Sequence, residues 1–324
     1  MAEFSSGDAY IDMLQSNILV GYTNPLYLHR LIFPLNPVLQ MTGLLAQMVQ
    51  SHWFRNLASG RAVGTRSRRS AFALDNTMAY TCKWASFGTE LPDLVRDNEV
   101  QPSNLDQLCT EFAADKIQME QELNFVATAF TTGVWGSDYT GVAASPSASQ
   151  FFQWSDYGNS RPLTDITNFN DTIEGRIGRE GNKLVMGKQV WSQLKWHPDL
   201  LDNIKYTQRA QMTTELLASM LELKDILIGR GIYTTSPEGT AEASVSYQRI
   251  WGKNALLLYG VDAPSLMAPA AGYTIGWQRR VNPLGYAKRM RDEQAEIDIF
   301  EGNAFYAHKV TVPRAGIFLA SAVA

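Results

Sequence analysis

Apolar positions along the chain follow three different rhythms. Residues 1–54 crowd large apolar and aromatic groups together without a sustained period, and Pro25, Pro34 and Pro37 interrupt any helix before Leu39–Ser51. That last stretch is the one part of the segment whose pattern allows a helix. An apolar segment that cannot pack on itself is expected to lean on something else, a neighbouring chain included. The clearest helical rhythm follows Pro102, with Ser103 or Asn104 as N-cap. Leu105, Leu108, Phe112, Met119, Leu123, Val126 and Phe130 recur at steps of three and four, and the stem of Lys116 fills the missing place. This predicts a rod of about 26 residues, roughly 39 Å long, with an acidic and wet opposite face.

Beyond residue 163 helices and short strands alternate. Helices are expected at Asp165–Ile177, Gln189–Trp196, Asp199–Tyr206 and Thr214–Leu221, and strands at Lys183–Met186, Asp225–Gly229, Ala255–Tyr259 and Tyr273–Arg279. The end reads as a meander of Glu296–Glu301, Ala304–Val312 and Gly316–Ala320, with Gly302-Asn303 as its first turn. Between the rod and this region, residues 131–162 hold a Gly/Ala/Ser/Pro stretch flanked by aromatic groups, the composition of a connector. The whole is an α+β pattern without a repeated βαβ unit.

Charge sharpens the picture. Arg55, Arg61, Arg66, Arg68 and Arg69 lie among glycines and small polar residues with no acid between them, and strand-like runs Ser70–Leu74 and Met78–Trp84 follow around Asp75-Asn76-Thr77. These predict an extended hairpin or arm. Residues 86–122 then carry nine acids against Arg96 and Lys116. Such block separation fits head-to-tail pairing between copies, and it equally fits pairing inside one subunit. Charged residues make up 19% of the 324 and the net charge is −4. That charged share is below the roughly 25% of ordinary soluble domains. An acidic balance argues against avid sequence-independent DNA binding. The N-terminus shows no basic-then-apolar targeting pattern, and no apolar run is long enough to span a bilayer.

Candidate chemistry is sparse. Cys82 and Cys109 lack metal-type spacing and read as two reduced thiols. The glycines of Gly181–Lys188 are spaced one residue too far for a phosphate loop, and Gln189 stands where a magnesium-binding Ser or Thr belongs. His29, His52, His197 and His308 are scattered, and His197 before Pro198 reads as a structural turn. No catalytic residue, cofactor or metal is expected.

The run Gly181–Thr207 holds Asn182-Lys183-Leu184-Val185-Met186-Gly187, then Leu194-Lys195-Trp196-His197-Pro198, then Ile204-Lys205-Tyr206. It resembles the major capsid proteins of tailed double-stranded DNA bacteriophages, in which such a run opens the axial domain. Six further matches keep the family's order. They are Thr131–Gly136, Phe152–Asp156, Glu215–Ala218, Ile226–Tyr233, Trp251–Tyr259 and Ala271–Trp277. With looser arm and return strands the resemblance covers roughly residues 60 to 324.

The resemblance implies the Hong Kong 97-like α+β fold. It places an N-terminal arm at 1–54, an extended E-loop at 55–90 and a peripheral domain at 91–179 with a spine helix at about 103–130. An axial domain follows at 180–280, with return strands of the peripheral domain at 281–324. It implies hexamers and pentamers closing an icosahedral shell around packaged double-stranded DNA, bound without sequence specificity, in a virion made in the bacterial host cytoplasm. Portal, scaffolding and decoration proteins are the implied partners; a membrane is not. Because the arm begins near Met1, a separate scaffolding protein or an already mature chain is expected. The E-loop residues Arg61, Arg66, Arg68, Arg69, Phe72 and Lys83 are expected to touch a neighbouring subunit, with Glu111, Asp115 and Glu122 on the spine as acidic partners. An encapsulin-like compartment shell is the alternative, and a soluble α+β hydrolase a more distant one.

Overall fold

In the computed structural model, residues 10–49, 54–70, 74–98, 104–204, 212–265, 268–278 and 285–324 are described. Two six-stranded sheets and one long helix organise them. The first sheet is built on Ile297–Val310, a strand of 14 residues. Along its length it pairs antiparallel with Tyr286–Asp292, Lys83–Pro92 and Gly272–Trp277. Tyr10–Ile11 and Leu35–Val38 close the two ends of the order.

The second sheet runs Gln150–Phe152, Asp138–Val142, Gly316–Ala320, Ala255–Leu258, Lys183–Gly187, Asp225–Gly229. Its central strands are continuous apolar runs, as strands covered on both faces must be. Leu184, Val185, Met186, Leu256, Leu257, Leu258, Ile317 and Leu319 are fully buried. Helix Pro162–Ile177 contributes Ile166, Phe169, Ile173 and Ile177 to the core around them. Proline in its first turn fits the missing N–H, and Gly178 ends the helix at φ 67°, in the left-handed region. Each fully buried Leu or Ile stabilises the fold by about 1.5–3 kcal/mol relative to exposure.

The long helix Leu105–Ala129 joins the two sheets. Asn104 caps it by accepting from Gln107 N–H; Ser103 lies outside the described residues. Near its C-terminal end, Phe125 and Phe130 pack on Trp251, and Phe130 meets Phe318 edge-on at 5.3 Å between centroids. One aromatic cluster therefore ties the helix to the second sheet.

Four expectations need correction. Residues Thr42–Met48, expected as helix, form a strand that pairs antiparallel with Leu74–Thr81. Asp75-Asn76-Thr77 lies inside that second strand rather than in a turn, so the hairpin is built from more distant segments than Ser70–Leu74 and Met78–Trp84; residues 71–73 lie outside the described set. Gly302-Asn303 sits mid-strand in Ile297–Val310. A Cβ at Gly302 would come within 2.8 Å of Ile117 Cδ1 and Leu19 Cδ1, so glycine serves close packing there, not turning. Asn303 is fully buried, accepting from Trp84 Nε1 at 2.7 Å and donating to Glu301 at 2.7 Å.

The fourth correction concerns the register of the long helix. Leu108 and Phe112 are about half exposed, while Thr110, Ala113, Ala114, Ile117, Gln118, Gln121, Glu122, Phe125 and Ala129 are buried. Small side chains let the first sheet approach closely. Lys116 does not fill a gap in an apolar face; its ammonium stands over the Phe112 ring at 4.9 Å. The chain also crosses between sheets more often than expected. Gly316–Ala320 joins the second sheet although the residues before it build the first, and Gly272–Trp277 belongs to the first.

Candidate assembly surfaces

The N-terminal segment is anchored in part on its own subunit, while Leu14, Leu31 and Leu39 remain exposed. Helix Met13–Gly21 packs Leu19 on Ala114 and Ala287, and its N-cap Asp12 accepts from Leu14 and Gln15 N–H. Gln118 Nε2 donates to Tyr22 O at 2.7 Å, and Asn24 Nδ2 donates to Asp115 at 2.7 Å. Glu122 makes the strongest tie. Its carboxylate accepts from Leu28 N–H and His29 N–H and from Trp251 Nε1–H at 2.7 Å, with His29 Nδ1 2.9 Å away. Glu122 is fully buried. Its expected role as an acidic partner for another subunit is therefore corrected: it latches the N-terminal segment, the long helix and the second sheet together inside one chain. Asp115 is likewise engaged within the chain, and Glu111 accepts from Gln107 Nε2 at 2.7 Å.

His308, beside this latch, donates from Nε2 to Gln121 O at 3.1 Å and receives Thr274 Oγ1–H at Nδ1, 3.0 Å away. Burial, then the neighbouring His29, lowers its pKa to about 3. His197 has the turn role expected of it. Its Nδ1 accepts from Asp199 N–H at 3.2 Å, and Nε2 meets Ser160 Oγ at 2.8 Å in a fully buried site.

At the end of the long strand, six charges neutralise one another. Asp298, buried, takes Arg96 at 2.6 Å, Arg289 at 2.9 Å and Arg291 at 3.4 Å. Arg96 also reaches Asp106 at 2.9 Å, and Arg291 forks onto Asp93. Burial alone would raise the Asp298 pKa; the hydrogen bonds from Arg289 and Arg96 outweigh it and hold the carboxyl below its usual value. Asp93 is lowered chiefly by its hydrogen bond from Arg291. For these acids the pairing is inside one subunit.

The hairpin arm is the opposite case. Between its strands, residues 54–70 are exposed apart from half-buried Leu57. Arg55, Arg66, Arg68 and Arg69 have no ion pair among the described residues, and Arg61 Nε donates only to the nearby Thr65 carbonyl. Phe54, at the base of this loop, lies against Gly178, where a Cβ would sit 3.1 Å from its ring. Phe72 lies outside the described residues. Lys83 is not on the arm: it starts strand Lys83–Pro92 and donates to Asn124 of the long helix at 3.4 Å.

Among the described residues, no group of three His, Cys, Asp or Glu could hold a metal, and no helix is long and apolar enough to cross a membrane. Burial pushes the Cys82 thiol up to about 11 and raises Cys109 as well, so both stay protonated and poorly nucleophilic.

No family model matches the chain. The major capsid protein of Burkholderia phage BcepMu is 25% identical over 299 residues, covering 90% of this chain and 91% of that protein. A phage-related protein from Bordetella bronchiseptica RB50 superposes with a TM-score of 0.77 at 20% identity, over 97% of this chain and 98% of the other. The mature capsid of bacteriophage PhiM1 gives 0.54 at 13% identity, over 99% and 91%. The putative capsid protein of a prophage of E. coli CFT073 gives 0.54 at 14%, over 98% and 99%. With the sheets, long helix and hairpin arm described above, these matches give the chain the Hong Kong 97-like α+β capsid fold and a sequence similar to that of a phage major capsid protein.

Proposed function

We propose that this chain is a major capsid subunit whose copies close into an icosahedral shell of hexamers and pentamers around packaged double-stranded DNA. The observation that carries the reading is the match to a named major capsid protein over nine-tenths of both chains, on a fold shared along nearly its whole length with phage capsids. The role is structural, not enzymatic. The first sheet with helix Leu105–Ala129 serves as the peripheral domain and the second sheet as the axial domain, with the 42–81 hairpin as E-loop.

The arm supports this division of labour. A two-stranded ribbon ending in a solvated loop whose arginines have no ion pair among the described residues gains little for its own subunit, since exposed charges contribute little to stability. Laid over a neighbour, Arg61, Arg66, Arg68 and Arg69 meet the acidic groups left unpaired on the spine side, of which Glu111 remains a candidate and Glu122 does not. Heterologous contacts of this kind close into rings, and many modest interfaces give a strong shell. Portal, scaffolding and decoration proteins complete the proposed partners, and the host cytoplasm is the proposed site of synthesis.

Electron microscopy of the purified protein, alone and co-expressed with neighbouring phage genes, tests the reading. Closed icosahedral particles are expected, and their content separates a DNA-filled virus shell from an enzyme-filled compartment. Persistent monomers in the presence of a scaffolding protein would overturn it.

A further inference from the structure

Five cations converge at one end of the second sheet. Lys183–Gly187 and Asp225–Gly229 run parallel with Gly187 opposite Gly229, so Lys188 and Arg230 leave adjacent strand ends. Lys253 leads into Ala255–Leu258, whose Ala255 pairs with Met186. Arg249 closes the small ribbon in which it pairs with Ile232, two residues beyond Arg230. Lys195 caps the C-terminal end of the helix that Lys188 begins. None of the five has an ion pair among the described residues. In a chain of net charge −4, such a gathering is not a by-product of composition.

The patch is concave. Lys188, Arg249 and Lys253 line a cavity of about 200 Å³ together with Gln189, Ser192, Gln193, Val323 and the C-terminal Ala324, whose carboxylate makes no ion pair with them among the described residues. The cations also feel one another: burial, then Arg230, Lys195 and Arg249, lowers the Lys188 pKa. Just past the helix that Lys188 begins, Trp196 is 60% exposed, with the Lys195 ammonium 5.4 Å from its ring centroid. The Tyr157 hydroxyl donates to Gln193 Oε1 at 2.8 Å.

From this cavity and its rim we infer that the patch is a docking site for a carboxylate-bearing surface of a second copy of this chain. The inference rests on the capsid reading above and adds a contact to it. Three arguments select the occupant. Exposed Trp196, Tyr157 and Arg249 are of the side-chain types enriched at the centres of protein interfaces. A duplex phosphate backbone would engage the cations but leave the indole no stacked partner, because duplex bases are turned inward. The chain also supplies the complement: Asp171, Glu174 and Glu180, at and just after helix Pro162–Ile177, are exposed and without ion pairs among the described residues. A ring of identical copies must join two different patches of one surface, which is what an unpaired cationic cavity and an unpaired acidic face provide.

The test replaces three cations at once, Lys188→Glu, Arg249→Glu and Lys253→Glu, in the full chain. The expected result is a subunit with unaltered circular dichroism and melting temperature whose particle yield falls at least tenfold under conditions where the unaltered chain assembles. Should the reversal unfold the subunit, the milder Lys188→Gln, Arg249→Gln, Lys253→Gln triple is assayed instead, with the same loss of yield expected. Particles in normal yield from the folded variant would overturn the inference. Normal particles with reduced DNA content would overturn it in favour of a nucleic-acid contact. Failure of the unaltered chain to form particles under any condition, scaffold included, overturns the capsid reading itself and is seen before any variant is made.

Discussion

The far end of the long strand and the tip of the hairpin arm carry the same kind of side chain in opposite circumstances. At the strand end, Arg96, Arg289 and Arg291 are matched against Asp93, Asp106 and Asp298. On the arm, Arg55, Arg66, Arg68 and Arg69 are exposed with no acid in reach among the described residues. The contrast separates two uses of charge in one chain. A charge that meets its partner during folding belongs to the subunit; a charge that folding leaves unmatched is available to whatever meets the subunit afterwards. Neighbouring basic and acidic blocks in a sequence do not reveal which case applies. The acidic block divides between the two: Asp93, Asp106 and Glu122 are consumed internally, whereas Glu90, Asp97 and Glu120 stay exposed.

Substitutions on the internal side should weaken the free subunit. The largest effect is expected from Glu122→Ala, which strips the acceptor from two buried backbone N–H groups and the Trp251 indole. Breaking such a buried polar cluster costs about 3–5 kcal/mol. Urea unfolding measures it, and Glu122→Gln, which keeps an acceptor, should lose less. Asp298→Ala should cost about 1–3 kcal/mol, discounted because its arginine partners are a third exposed.

Acid sharpens the same comparison. The unfolded His308 ring takes up a proton near pH 6.5, while the folded ring resists until about 3. Stability should therefore decline as pH falls from 6.5 toward 3, by about 1 kcal/mol per unit. His308→Gln should flatten that slope in melts recorded from pH 7 to 4. Asp93 and Asp298 have depressed values, so their contribution is full above the ordinary carboxylate pKa and is lost as pH falls below it. Asp298→Ala should remove part of that lower slope and leave the His308 segment unaltered.

How far the sequence reveals the structure depends on which interactions set each element. Lys183–Gly187, Asp225–Gly229 and the body of helix Pro162–Ile177 are legible because continuous apolar runs and a glycine stop act locally, whereas its proline start lies three residues ahead of the expected Asp165. The face of the long helix is not legible from its own pattern. It is chosen by the close approach of Ile297–Val310 and by donors from residues 28, 29 and 251, which make Glu122 a core residue. Gly302-Asn303 reads as a turn for the same reason: glycine suits turns and tight packing alike, and the distant helix decides between them. Strand Thr42–Met48 escapes detection because its partner lies across a loop of some two dozen residues. That the arm arginines stay unmatched is not legible from sequence, since acids distant along the chain can fold against a basic segment, as Asp298 does on Arg96.

The smallest effect on the free subunit is expected from Arg66→Glu, Arg68→Glu and Arg69→Glu together, within about 0.5 kcal/mol because these side chains are solvated. On assembly the effect should be complete. Sedimentation velocity of this triple variant beside the unaltered chain, under conditions where the latter closes into particles, is the most direct measurement. The predicted result is folded, slowly sedimenting subunits and no particle boundary. A particle boundary of normal size and amount would contradict the assignment of the unmatched arm charges to contacts between copies.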